Sequence, residues 1–193
     1  MGGFIQLTRD LLLEAGAPEA SVIAGRQVEL PGFFRPTKEW DLLVVHRGAL
    51  LAVVEYKSQV GPSFGNNYNN RTEEAIGSAT DLWTAFREHK FDPSPRPWVG
   101  YLMLLEETED STSPVRVAEP HFEVFADFRG ASYARRYEIL CDRLIKERLY
   151  DGACLVLSEQ KGGRRGKYRE PVPAFGFERF AKPLVAHVIA HIR

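Results

Sequence analysis

Cysteine is scarce in this chain of 193 residues: only Cys141 and Cys154 occur, both in apolar stretches and neither in a CxxC or Cys/His spacing. A disulfide-stapled scaffold and a cysteine zinc site are thereby excluded, and a reducing compartment is expected. Also missing is any uninterrupted apolar run of about 18 residues, so no membrane-spanning helix is encoded. The N-terminus, Met1 to Asp10, lacks the basic and apolar regions of a secretory signal, which points to a cytoplasmic protein. Nor is there an excess of charge, since 25 Lys and Arg face 26 Asp and Glu. The whole-chain field therefore neither favours nor forbids a polyanionic partner, and local distribution must decide. What the chain does have is apolar material: at 44% hydrophobic it can fill a core, and its length suits one domain spanning 1–193.

Periodicity organises that material. Phe4, Ile5, Leu7, Leu11, Leu12 and Ala15 recur at helical spacing up to Gly16, and a short extended segment at Val28 to Leu30 ends in the turn dipeptide Pro31-Gly32. Leu42 to Val45 and Leu50 to Val54 are near-continuous aliphatic runs joined by His46-Arg47-Gly48-Ala49, which predicts a hairpin of central strands covered on both faces. A polar loop is expected from Ser58 to Arg71. A helix should follow, entered through Asn70 or Thr72 and burying Ala75, Ile76, Ala79, Leu82, Trp83 and Phe86. Trp98 to Leu105 is another strand, Glu106 to Pro120 reads as a loop, and a helix capped near Ser132 carries Tyr137, Leu140, Cys141, Leu144 and Ile145. Ala153 to Leu157 is a further buried strand. Phe177 to Ile192 is a last helix, with Pro183 expected in its first turn. The order predicts an α/β domain with a mixed central β-sheet flanked by helices.

Asp41 begins one hairpin strand, while Glu55 and Lys57 end the next. Asp41 lies as far before Gly48 as Glu55 lies after it, so a hairpin centred on Gly48 makes them cross-strand neighbours, within about 5.5 Å between Cβ atoms. Lys57, two residues on, points to the same side. Two carboxylates this close are costly to keep ionised without a cation, and hard oxygen donors with room for water and phosphate suit Mg²⁺. Lys57 could then orient or help deprotonate a water and stabilise charge on a phosphorane-like transition state. An ion-paired cluster at a sheet end, with no metal, fits the same pattern. Two other acid-x-Lys triplets, Glu88-His89-Lys90 and Glu159-Gln160-Lys161, lack an acid on a neighbouring strand.

Residues 31 to 41 read Pro-Gly-Phe-Phe-Arg-Pro-Thr-Lys-Glu-Trp-Asp, and residues 55 to 77 run from Glu-Tyr-Lys-Ser-Gln through Phe-Gly-Asn-Asn-Tyr-Asn-Asn-Arg to Ala-Ile-Gly. Together with Asp81 to Ala85, Ser94 to Pro97, Ser132 to Glu138 and Glu147 to Asp151, this closely resembles the XhoI-type restriction endonucleases, a type II branch of the PD-(D/E)xK nuclease superfamily. The resemblance implies a restriction-endonuclease-like core and a Mg²⁺-dependent catalytic triad of Asp41, Glu55 and Lys57, with Asp41, Glu55 and Tyr56 as metal contacts. It also implies cleavage of duplex DNA at CTCGAG after the first C, leaving 5′ overhangs, and a companion methyltransferase in the host. Trp40 stands where the superfamily name has proline, and relatives carry an additional N-terminal stretch before the segment resembling Gly3-Phe4-Ile5.

Reading base pairs requires donors and acceptors at base edges, Arg for guanine and Asn or Gln for adenine. Ser58, Gln59, Ser63, Asn66, Asn67, Asn69, Asn70 and Arg71 follow the catalytic strand closely enough to face the same DNA. Individual asparagines there are equally ordinary turn or cap residues. Arg135 and Arg136 near a helix start are candidate phosphate contacts. So are Arg164 and Arg165, within the basic run Lys161, Arg164, Arg165, Lys167 and Arg169, which could be a flexible arm or a solvated hairpin. Glu73 and Glu74 are expected at a helix start, where the macrodipole favours them, or as additional metal contacts. A palindromic target with staggered cuts calls for a homodimer. A DNA-binding relic without cleavage and a structure-directed repair nuclease remain the competing readings.

Overall fold

The structure, a computed structural model, describes residues 1–192. Among the described residues, six α-helices and seven strands order themselves around the aliphatic hairpin. Strands β4 (Leu42–His46) and β5 (Ala49–Gln59) pair antiparallel through a two-residue turn in which Arg47 and Gly48 both take positive φ, 50° and 81°. That is the turn geometry whose twist matches a hairpin. β1 (Val22–Ala24) adds antiparallel to β4, while β6 (Trp98–Glu106) and β7 (Gly152–Ser158) extend the other side in parallel. The five-stranded mixed sheet has the order β1-β4-β5-β6-β7, so β4 and β5 are interior strands, as their unbroken apolar runs require. β2 (Glu29–Leu30) and β3 (Lys38–Glu39) form a separate two-stranded ribbon.

Alternation along the strands fills two cores. Leu43, Val53, Tyr101, Met103 and Leu155 face α2 (Phe64–Arg87) and α4 (Tyr133–Lys146). Leu42, Val44, Val54, Leu102 and Val156 face α1 (Gly2–Glu14) and α6 (Phe177–Ile192). α1 stops as expected: Gly16 at φ 104° lets its N–H reach Leu13 O and that of Ala17 reach Leu12 O. α4 is capped by Ser132, whose hydroxyl accepts from Arg135 N.

Several expectations are corrected. The segment Ser58 to Arg71 is not a loop, because β5 continues to Gln59 and α2 begins at Phe64. Neither Asn70 nor Thr72 caps α2; Ser63 occupies the N-cap, and Thr72 Oγ1 bonds back to Tyr68 O inside the helix. The cause is tertiary. Phe64 stacks on Tyr133 and Tyr68 meets Tyr137 edge-on, with ring centroids at 5.7 and 5.1 Å, so two aromatic anchors one turn apart override the poor helix propensity of Asn and Gly. Glu73 and Glu74 consequently sit in the helix interior, away from its N-terminus. Pro183 is the seventh residue of α6, outside the first turn. The 106–120 segment contains a short helix, α3 (Glu109–Thr112), started by a Thr108–Ser111 capping box. The basic run begins with α5 (Gln160–Gly163) and returns to β7 through a bridge between Arg169 and Leu157.

Candidate active site

The hairpin register decides what meets at the site. Leu42 pairs with Val54, Leu43 with Val53 and Val44 with Ala52, but beyond a β-bulge Val45 pairs with Leu50. The turn is thus centred between Arg47 and Gly48, and the extra residue Leu51 restores the spacing on the site side. Asp41 lies just before β4, outside the paired ladder, and brackets Glu55 by two bonds to β5, its N–H donating to Val54 O and its Oδ2 accepting from Tyr56 N at 2.7 Å.

Glu55 is 2% exposed and lies in the interior of β5, flanked by β4 and β6. Its two oxygens go to different lysines: Lys57 Nζ lies 2.5 Å from Oε1, and Lys38 Nζ lies 2.8 Å from Oε2. Lys57 is part-exposed and also lies 3.8 Å from Glu74 Oε2, which Arg71 holds at 2.6 Å. Lys38, with its side chain only 10% exposed, also donates to Glu39 O and sits 4.1 Å from the centroid of the Trp40 ring. Burial pulls the Lys38 ammonium pKa down, against the attraction of Glu55. Burial pushes the Asp41 carboxyl above its ordinary value; the Tyr56 N–H opposes that shift and the charge of Glu55 adds to it.

Asp41, Glu55 and Lys57 therefore come together. Tyr56 reaches the site only through its backbone, since its phenol lies on the other sheet face, bonded to Thr8 Oγ1 and buried. Among the described residues no group of three His, Cys, Asp or Glu converges to form an all-protein metal cage. Two adjacent carboxylates do fit a Mg²⁺-type ion, which is usually held by one or two carboxylates with water and phosphate oxygens completing its shell. Asp41 is the open member of the pair: only Oδ2 accepts a hydrogen bond among the described residues, and its raised pKa marks a carboxylate that a nearby cation would stabilise.

The residues expected at DNA divide into three groups. Ser58 is exposed on β5, Ser63 stands at the α2 N-cap position with its side chain making no capping bond, and Asn66, Asn69 and Asn70 are exposed on the first two turns of α2, with Asn67 and Arg71 half-buried beside them. Arg135 and Arg136 begin α4, next to the α2 start through the Phe64–Tyr133 stack; Arg135 pairs with Glu138, and Arg136 donates to Ala131 O. Gln59 is placed differently. It is buried, its Nε2 donates to Phe64 O and its Oε1 accepts from the Tyr137 hydroxyl, so its amide closes the β5–α2 connection and is not presented to a ligand. Arg164 and Arg165 are exposed beyond β7, two strands from β5, and are not brought to the triad.

Lys38 and Asp81 were not singled out from the sequence. Asp81 is 3% exposed and clamps the loop before β3: its Oδ1 accepts from Phe33 N and Phe34 N, and its Oδ2 from Arg35 Nε. A lone acid within the apolar face Ala79, Leu82, Trp83 was the available signal, because a buried carboxylate demands partners.

A sheet with one acid at the start of an interior strand and a second acid and a lysine near the end of its neighbour, between helical layers, defines the class of restriction-endonuclease-like nucleases. The family description "Restriction endonuclease XhoI" matches residues 1–170. The chain belongs to that family of type II site-specific deoxyribonucleases. It is 51% identical over 193 residues to the type II restriction enzyme BstVI of Geobacillus stearothermophilus, covering 97% of this chain and 86% of the relative. It is 52% identical over 147 residues to the type II restriction enzyme XhoI of Xanthomonas vasicola, covering 75% and 59%. With the type II restriction enzyme AbrI of Azospirillum brasilense the identity is 54% over 123 residues, covering 63% and 55%. No solved structure matches. No described helix is long and apolar enough to cross a membrane.

Proposed function

We propose that this chain acts as a single restriction-endonuclease-like domain, pairs as a homodimer and cuts both strands of duplex DNA at CTCGAG. In this reading it requires Mg²⁺, cuts after the first C, leaves 5′ overhangs with 5′-phosphates and is balanced in its host by a methyltransferase of the same specificity. The observation that carries it is the convergence of Asp41, Glu55 and Lys57 on one edge of the hairpin. Asp41, Glu55 and the Tyr56 backbone would hold the ion, which when bound supplies positive charge to the phosphodiester and lowers the pKa of a coordinated water.

The chain's own residues supply the rest. Lys57, part-exposed and held by the buried Glu55, is placed to orient the attacking water and to donate hydrogen bonds to charge developing on the phosphate. Ser63, Asn66, Asn67, Asn69, Asn70 and Arg71 on the first turns of α2, with Ser58 on β5, form the face for base edges. Arg135 and Arg136 flank it as phosphate contacts, and Arg164 and Arg165 belong to a more distant backbone contact.

Plasmid digestion followed by mapping of the cut ends tests this reading. The expected result is discrete fragments in Mg²⁺ with ends at CTCGAG, reduced at least about 100-fold in Glu55→Ala and Lys57→Ala. Binding without scission is expected in Ca²⁺. Intact plasmid in Mg²⁺ and Mn²⁺ at every protein concentration overturns it.

A further inference from the structure

Two phenylalanines stand in solvent beside the site. Phe33 is 54% and Phe34 70% exposed, and their rings meet edge-on with centroids 5.3 Å apart. The loop carrying them is built to hold this pose. The N–H groups of Phe33 and Phe34 donate to the buried Asp81 carboxylate at 2.6 and 2.8 Å, and Arg35 Nε donates at 2.7 Å. A Cβ at Gly32 would lie 2.2 Å from Asp81 Oδ2, so only glycine lets the backbone close over that acid. A buried carboxylate is thus committed to presenting two apolar rings to water. Their position is equally specific: Phe34 and Arg35 line a surface groove with Glu73, Glu74 and Gly77, and Glu74 is the residue 3.8 Å from Lys57.

We propose that Phe33 and Phe34 form an aromatic wedge that enters duplex DNA at a base step beside the scissile phosphate, a role that rests on the nuclease reading above. Apolar wedges of this kind unstack a step and bend the duplex, and aromatic rings recover stacking on the parted bases. The size of the patch argues against a second copy of the chain as its occupant. Two phenyl groups at these exposures offer roughly 250 Å² of apolar surface, whereas a stable dimer buries about 800 Å² on each partner. The groove beside Phe34 is lined by Arg35, Glu73, Glu74, Ser78, Thr80 and Asp81, polar or charged side chains that provide no apolar continuation.

The experiment uses 20-base-pair duplexes containing CTCGAG, with 2-aminopurine placed in turn at positions within and flanking the site, in Ca²⁺. The wild-type protein is expected to raise the fluorescence severalfold at one step. The Phe33→Ser/Phe34→Ser double variant should bind at least 10-fold more weakly without that rise, while keeping the wild-type circular dichroism and melting temperature. A wild-type complex that cleaves in Mg²⁺ yet shows no rise at any position overturns the wedge alone. So does a double variant that keeps rise and affinity, or one that binds DNA normally but sediments as a monomer where the wild type is a dimer. A wild-type protein that neither binds in Ca²⁺ nor cleaves in Mg²⁺ overturns the nuclease reading and the wedge with it.

Discussion

Lys38 and Glu55, seventeen residues apart in sequence, meet in a buried ion pair with Nζ 2.8 Å from Oε2. Both Glu55 oxygens therefore already face an ammonium group before any metal arrives, with Lys57 Nζ on Oε1. Removing one partner of such a pair leaves an uncompensated buried charge, at a cost of about 3 kcal/mol, the lower end of the usual range because Lys57 stays. Lys38→Met should show that loss as a lowered urea midpoint in metal-free buffer. Since the ammonium shares Oε2 with any incoming cation, added Ca²⁺ should raise the melting temperature of Lys38→Met more than that of the wild type. Equal responses to Ca²⁺ would reduce Lys38 to a prop for Trp40.

Asp81 provides a pH test away from the triad. Burial pushes its carboxyl up, but the donors from Phe34 N, Arg35 and Phe33 N together outweigh this and hold it below the ordinary carboxylate range. A depressed folded pKa contributes stability that is fully present above the unfolded value of about 3.9 and is lost as pH falls through the folded pKa. Asp81→Asn should thus cost about 2 kcal/mol near neutrality, in keeping with hydrogen bonds to a charged acceptor. The gap between the two urea midpoints should close as the pH is lowered below about 4. A gap that stays constant down to pH 2 would show that the loop clamp does not depend on the charge.

Much of the site was legible because its logic is local. Unbroken aliphatic runs around Gly48 announce a covered hairpin, and Asp41 and Glu55 stand at equal distances from that glycine. The approach of the two acids rests on details no pattern reveals: the turn is centred half a residue earlier, the bulge at Leu51 compensates as far as Leu42 and Val54, and Asp41 then bonds to Val54 O and Tyr56 N on either side of Glu55. The start of α2 was hidden because Phe64 and Tyr68 pack on Tyr133 and Tyr137, some seventy residues downstream, while the local Asn-rich composition favours a turn. Lys38 was hidden for the same reason, since its partner is set by how β3 lies against β5.

Gln59 shows how misplacing that helix changes a functional expectation. In a polar loop it would be free to read a base, whereas in the fold its amide joins Phe64 O to the Tyr137 hydroxyl inside the core. Tyr137→Phe leaves Gln59 Oε1 buried without a donor and should cost about 1 to 3 kcal/mol. Gln59→Leu should cost a similar amount, and the double variant should fall short of their sum, with a coupling of at least about 0.5 kcal/mol in a urea double-mutant cycle. The mapped cleavage sequence should be unchanged in Tyr137→Phe. A shifted target would return Gln59 to the DNA.

Pro183 yields a prediction of opposite sign. It occupies the seventh position of α6, on an exposed face, where it has no N–H to offer the carbonyl of Arg179. The neighbouring core contacts of Phe180, Ala181 and Leu184 hold the helix continuous across it, so the helix tolerates a residue about 3 kcal/mol less favourable than alanine. Pro183→Ala restores the bond and touches no core atom, but it also frees the unfolded chain by about 1 kcal/mol. The net gain should be about 1 to 2 kcal/mol, the difference between those two effects. A rise in urea midpoint at constant slope would register it, and a fall would mean that α6 bends at Pro183 and that its packing on the sheet depends on the bend.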